Sequence, residues 1–180
     1  MWQLLMGAKK MHECYIVHRD IKPENILVAD DHTVVKICDF GLAMSMSAQR
    51  QYEPTGTLWY KAPEMLLEKP DYDGLLETWS LGYVMTELIN GRALFHWPFA
   101  TEVRPELDVQ RHNLLRELFP EEMLSKEGFE VLNGLLMCNP GKRLTAATAL
   151  KKSWFSKIDA LALPKKEVMA SALPKRRRLL

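Results

Sequence analysis

"HRDIKPEN", His18 to Asn25, runs straight into "ILVADDHTVVKIC", Ile26 to Cys38, and then into "DFG", Asp39 to Gly41. The middle stretch holds two apolar runs joined by Asp30-Asp31-His32, the pattern of a β-hairpin with a polar turn. Asn25 stands just before the first strand and Asp39 just after the second. Antiparallel pairing, with strands about 4.8 Å apart, brings those ends together. An amide oxygen and a carboxylate then converge, a donor set that suits Mg²⁺, which takes few protein ligands and keeps phosphate oxygens and waters for the rest. Asp20, five residues before Asn25, can accept a proton from an incoming hydroxyl. Lys22 brings a positive charge to a transferring phosphoryl group. Acceptor, cation and metal donors are the parts phosphoryl transfer needs, because that chemistry is mostly positioning and charge stabilisation.

The chain has 180 residues, room for one domain with a tail, and its 47% hydrophobic and 26% charged residues fit a soluble globular protein. A net charge of +1 gives no whole-chain argument for nucleic acid or membrane as partner. No apolar run is long enough to cross a bilayer and no basic-then-apolar leader precedes the first motif. Cys14, Cys38 and Cys138 are odd in number and widely spaced, which suggests thiols in a reducing, intracellular compartment. The spacing of His12, Glu13, Cys14 and His18 fits neither a helix face nor a zinc pattern.

Outside the hairpin the chain reads as mostly helical. Trp2, Leu5, Ala8 and Met11 carry a helical spacing. "CYIVH" reads as a short buried strand or turn, and residues 41–58 as a long irregular loop. Residues 75–90 read as a buried helix, with Asp71 or Asp73 to cap its start and Gly91 its end. The two prolines in residues 95–110 suggest loop. Short helices follow at "NLLRELF", at "KEGFEVLNGLLMC" with Ser125 as N-cap, and at "TAATALKKSWF" with Thr145 as N-cap. The expected organisation is one domain over residues 1–158 and a basic, loosely ordered tail over 159–180.

"HRDIKPEN", "DFG" and "APE" (Ala62 to Glu64) stand in the order and approximate spacing of eukaryotic protein kinases. "TLWYKAPE" followed by "ETWSLG" resembles the cyclin-dependent kinase branch in particular, and "NPGKRLTAATALKKSWF" resembles that branch's closing helix. The resemblance covers roughly His12 to Phe155. It implies the helical C-terminal lobe of a kinase with a small hairpin at the catalytic cleft, and transfer of the γ-phosphate of ATP, with Mg²⁺, to serine or threonine in a protein substrate. It implies Asp20 as catalytic base and Lys22 as the lysine that steadies the γ-phosphate. Asn25 and Asp39 are implied as metal ligands, Leu27 as the floor under adenine, and Thr57 as the threonine that ties the substrate-binding loop to Asp20 and Lys22. Glu64 and Arg143 resemble a buried ion pair that anchors the activation segment. Proline-directed specificity, a cyclin partner and a cell-cycle role are implied only by the resemblance.

Several features depart from that pattern. Only nineteen residues precede Asp20. No GxGxxG and no VAIK-like segment occurs, so the family's glycine-rich loop, strand lysine and hinge are absent from this sequence. The expectation is that the 180-residue chain alone has no measurable kinase activity, and that cyclin binding is weakened with the lobe that carries it. The alternative reading is a catalytically silent kinase-fold fragment, a binding module or a truncated gene product. Glu77 stands where the family has aspartate, and its extra methylene is expected to strain the loop that it holds. The usual phosphorylated threonine falls near Tyr52, leaving Tyr52 or Thr55 as substitutes. The link between "GRALF" and "NLLRELF" is shorter than the family's. Cys38 reads as a small core residue, and His18 as a packed loop residue. "KRRR", Lys175 to Arg178, reads as a solvated tail or a nuclear localisation signal, which slightly favours the nucleus over the cytoplasm.

Overall fold

The computed structural model describes residues 1–31, 33–46, 55–67, 73–92, 107–156 and 177–178. Helix α1 (Trp2–Glu13) opens the chain and buries Leu4, Leu5, Ala8 and Met11, one stripe at helical spacing. Its last turn leads through Tyr15, in the left-handed region at φ 56°, into strand β1 (Ile16–Val17). The stretch from His18 follows and ends in a 3-10 turn at Pro23–Asn25. Strands β2 (Ile26–Val28) and β3 (Val35–Ile37) form the expected hairpin, in antiparallel register with Ile26 opposite Ile37 and Val28 opposite Val35. Each strand is three residues long, and beyond them Ala29 N–H donates to the Val34 carbonyl at 2.9 Å.

Strand β4 (Met44–Ser45) lies within the stretch read as irregular loop. It pairs antiparallel with β1, Val17 opposite Met44 and Ile16 opposite Ser45. Two residues cannot show a period, so the sequence gives no sign of this pairing. A four-residue helix, α2 (Pro63–Leu66), starts at Pro63, where the missing N–H costs nothing. Helix α3 (Leu75–Asn90) is buried on nearly every face from Leu76 to Thr86 and stops at Gly91, which takes φ +69°. The Asp73 carboxylate accepts from Leu75 N–H at 2.8 Å at its start; the other proposed cap, Asp71, lies outside the described residues.

Helix α4 (Leu107–Leu118) begins six residues before the expected "NLLRELF". Residues 107–110, read as loop on account of the two prolines that precede them in sequence, are helical; a proline ahead of a helix in sequence does not bar its start. Helix α5 (Lys126–Leu135) is capped as expected by Ser125, whose hydroxyl accepts from Gly128 N–H at 3.3 Å. Helix α6 (Ala146–Ala149) is capped by Thr145, which accepts from Thr148 N–H at 3.0 Å. It is shorter than the pattern suggests, because the chain turns after Leu150 and continues as a 3-10 turn at Ser153–Phe155. Helices α1, α3, α5 and α6 enclose one apolar core, with Leu5, Leu81, Val84, Met85, Leu132 and Leu135 fully buried. Of the segment read as tail, strand β5 (Arg177–Arg178) pairs antiparallel with the free edge of β2, Leu27 opposite Arg178. The core fixes α1 and α3, and between them they position the loop that precedes the hairpin.

Candidate active site

The loop His18–Asn25 is held from below by one buried carboxylate. Glu77, on α3 and fully buried, accepts from the backbone N–H of His18 and, at 3.3 Å, from that of Arg19. Its second oxygen meets His12 Nε2, on α1, at 2.6 Å. The expected strain from the extra methylene does not cost these contacts: the longer side chain still reaches both amides. Room for His12 comes from Gly74, where a Cβ would stand 2.8 Å from the imidazole. His18 is fully buried. Its Nδ1 accepts from Asp20 N–H at 3.3 Å, which leaves the proton on Nε2 to donate to the Cys38 carbonyl at 2.9 Å. His18 therefore ties the loop to the end of β3, and its ring meets that of Phe40 edge-on at 4.9 Å. Arg19, at φ 69°, sends Nε to the Leu42 carbonyl at 2.7 Å.

Asp20, Lys22, Asn25 and Thr57 form one hydrogen-bonded cluster. One Asp20 oxygen accepts from the Thr57 amide and from its hydroxyl, both at 2.9 Å. The other meets Lys22 Nζ at 2.9 Å and Asn25 Nδ2 at 3.1 Å. Lys22 Nζ also donates to the Thr57 hydroxyl at 2.8 Å, and Asn25 Nδ2 to the Asp20 carbonyl at 2.8 Å. Partial burial pushes the Asp20 carboxyl up, but the hydrogen bonds and charge of Lys22 together with the Thr57 bonds outweigh it and hold the group below the ordinary carboxylate value. Such a carboxylate is a weak base and a well-aimed acceptor. That suits a transfer in which the hydroxyl must be oriented more than deprotonated in advance.

The hairpin brings the two expected metal donors to neighbouring positions. Cys38 N–H donates to the Asn25 carbonyl at 2.8 Å, so Asp39 follows directly from the residue bonded to Asn25. Asn25 is buried and spends its amide nitrogen on Asp20, which leaves its amide oxygen to a ligand. Asp39 is exposed, in the left-handed region at φ 64°, with one oxygen accepting from Gly41 N–H at 3.3 Å. One neutral and one anionic oxygen donor fit a Mg²⁺ ion that shares its remaining positions with phosphates and water. Leu27 sits on β2 next to buried Ile26 and is itself half-buried; strand alternation places the two on opposite faces.

Farther out, Arg143 and Glu64 form a buried two-pronged ion pair, at 2.6 and 2.8 Å, linking the start of α2 to the turn before α6. Tyr60 donates to Glu87 at 2.8 Å, and burial followed by the Glu87 charge pushes its phenol well above the ordinary value. The Thr55 hydroxyl is buried with no hydrogen-bond partner, so it is not presented as a phosphorylation site in this conformation; Tyr52 lies outside the described residues. The sequence reading weighed His12 only as part of a zinc pattern and not as the second partner of Glu77, and it did not single out Gly56, next to Thr57.

Comparison with known proteins gives the same assignment. The family model described as "Protein kinase domain" matches residues 1–155. The chain is 40% identical, over 88% of its length, to a rice protein (Oryza sativa subsp. japonica) named "Putative cyclin-dependent kinase F-2", of which it spans 57%. It is 33% identical over 99% of its length to "Cyclin-dependent kinase 11.2" of Caenorhabditis elegans, and 35% identical over 98% to "Cyclin-dependent kinase G1" of Arabidopsis thaliana. It spans 33% and 34% of those two proteins. The chain belongs to the protein kinase family, in its cyclin-dependent kinase-like branch.

Proposed function

We propose that this site carries out its part of ATP-dependent phosphoryl transfer to serine or threonine hydroxyls of a protein. The observation that carries the proposal is the Asp20 cluster, in which a carboxylate is aimed by Thr57 and Lys22 and stands beside the amide of Asn25. Asp20 accepts the substrate hydroxyl and orients it. Lys22 places a cation where negative charge builds on the phosphoryl oxygens. Asn25 and Asp39 would hold Mg²⁺, and Leu27 would lie against the adenine. A bound Mg²⁺–ATP supplies the phosphoryl group and neutralises its charge. Thr57 locks the substrate-facing segment to the acceptor, so one contact aligns both reactants.

A cyclin-like partner, proline-directed substrates, a cell-cycle role and nuclear residence are further parts of the proposal. They lean on the names of the relatives and on the basic run at Lys175 to Arg178. Deleting that run in a fluorescent fusion tests nuclear residence; an unchanged distribution contradicts it.

Label transfer from γ-labelled ATP to a serine/threonine peptide tests the main reading. The 180-residue chain alone is expected to transfer nothing measurable. A longer product carrying a glycine-rich loop and strand lysine is expected to label serine or threonine and to lose that activity in Asp20→Asn. Labelling that survives Asp20→Asn contradicts the role given to Asp20.

A further inference from the structure

The β2–β3 hairpin leaves one edge of β2 open, and the chain's own β5 fills it. Asn25 and Ala29 turn their backbone groups toward β3: the Asn25 carbonyl accepts from Cys38 N–H at 2.8 Å, and Ala29 N–H donates to the Val34 carbonyl at 2.9 Å. Alternate residues of an antiparallel ladder serve alternate edges, so Val28 presents its N–H and carbonyl to the other side. There β5 lies antiparallel, with Arg177 opposite Val28 and Arg178 opposite Leu27. Val28 and Arg177 therefore form the hydrogen-bonded pair. Leu27 and Arg178 form the closer pair, with Cα atoms about 4.5 Å apart. An unpaired strand edge is a template for an extended segment, and here a segment from the far end of the sequence meets it.

That register bears on the nucleotide site. Residues directly opposite each other share one face of a sheet, so Arg178 stands on the face of Leu27, where the adenine would lie. Strand β5 also lies against the turn Pro23–Asn25. Arg177 is paired with Val28, the residue of β2 farthest from Asn25, and so stands away from the end where phosphates would lie. The placement covers the adenine side and does not bring the basic run to the phosphates. We propose that the basic C-terminal segment is an intramolecular ligand of the β2 edge: docked as β5 it occupies the adenine side of the site, and Mg²⁺–ATP binds only when it has left. The proposal rests on the reading of Leu27 as the floor under adenine, but docking of the strand is read without nucleotide, so the two can fail separately.

The test compares R177P and R177Q in the full 180-residue chain. Both remove one charge, but only proline removes the N–H that Arg177 presents to Val28. Without nucleotide, an Overhauser contact between the α-protons of Leu27 and Arg178 and slowed exchange of the Val28 amide are expected in the parent and in R177Q. Both are expected to be lost in R177P, with the Ala29 amide unchanged. Titration with a fluorescent ATP analogue and Mg²⁺ is expected to show about tenfold tighter binding by R177P than by the other two, the factor for a strand docked nine-tenths of the time. Absence of the Leu27–Arg178 contact in the parent overturns the proposal, as does a contact that grows with protein concentration, which places the strand on a second copy. Binding that is equal in all three chains, or weaker in R177P, overturns the proposal alone. No binding by any of them overturns the competition and the Leu27 reading together.

Discussion

Replacing Arg143 by methionine removes the cation from a carboxylate that has nowhere else to turn. Both Glu64 oxygens accept from Arg143, at 2.6 and 2.8 Å, and the two side chains are 5% and 0% exposed. Among the described residues no other donor reaches Glu64. Arg143 also donates to the carbonyls of Leu75 at 2.9 Å, Met137 at 2.8 Å and Cys138 at 3.3 Å. Breaking a buried pair from one side costs about 3–5 kcal/mol. Arg143→Met belongs at the upper end, because it leaves a buried charge unpaired and removes the guanidinium from three carbonyls, of which that of Leu75 keeps the Thr78 hydroxyl at 2.8 Å. Glu64→Ala belongs at the lower end, because the guanidinium keeps those carbonyls. In a domain of this size each kcal/mol shifts the melting temperature by about 2–4 °C, so the fall spans roughly 6–20 °C. Urea unfolding of both single variants and of the double variant measures it. The double variant is expected to be much less destabilised than the sum of the two. A loss under about 1 kcal/mol in Arg143→Met, or strict additivity, refutes the account of how α2 is anchored.

Two further outcomes follow from the same geometry. Glu77→Ala leaves the His18 and Arg19 amides without their acceptor, at about 1–3 kcal/mol per buried group; hydrogen exchange at those two amides is expected to rise well above that at Leu81 or Val84 in the same helix, and equal rates at all four positions count against it. Asp20 has a folded pKa below the ordinary carboxylate value of 3.8. Its contribution to stability is therefore fully present above that value and is lost as the pH falls through the folded value. The stability curve of Asp20→Asn should lack that acid-side loss, and a curve parallel to the parent's below pH 4 rejects the assignment.

The legible features were those set by a repeating pattern or a capping side chain. The hairpin could be read because apolar runs flank a polar turn, and α3 because its apolar residues fall on nearly every face and Gly91 ends it. Ser125 and Thr145 announced α5 and α6, although nothing local to "TAATALKK" shows that the chain turns after Leu150. Strand β4 was not legible, since it exists only because β1 lies alongside it. At the site, Asp20, Lys22 and Asn25 were read together from residue types and order, and Thr57 joined them only through the family resemblance. The fit of Glu77 did not, because whether one more methylene is tolerated depends on the space that Gly74 leaves for His12. The close approach of Gly56 to the Arg19 carbonyl was hidden for the same reason. It is a matter of distance between segments 37 residues apart in sequence, not of pattern.

The central claim is that the β2–β3 hairpin delivers Asn25 and Asp39 to one divalent ion beside Asp20. Paramagnetic relaxation by Mn²⁺ with ATP, read on the labelled 180-residue chain, tests it directly. Broadening is expected to centre on Asn25, Asp39 and Asp20 and to vanish in the Asn25→Ala, Asp39→Ala double variant. Broadening centred elsewhere, or unchanged in that variant, contradicts the claim.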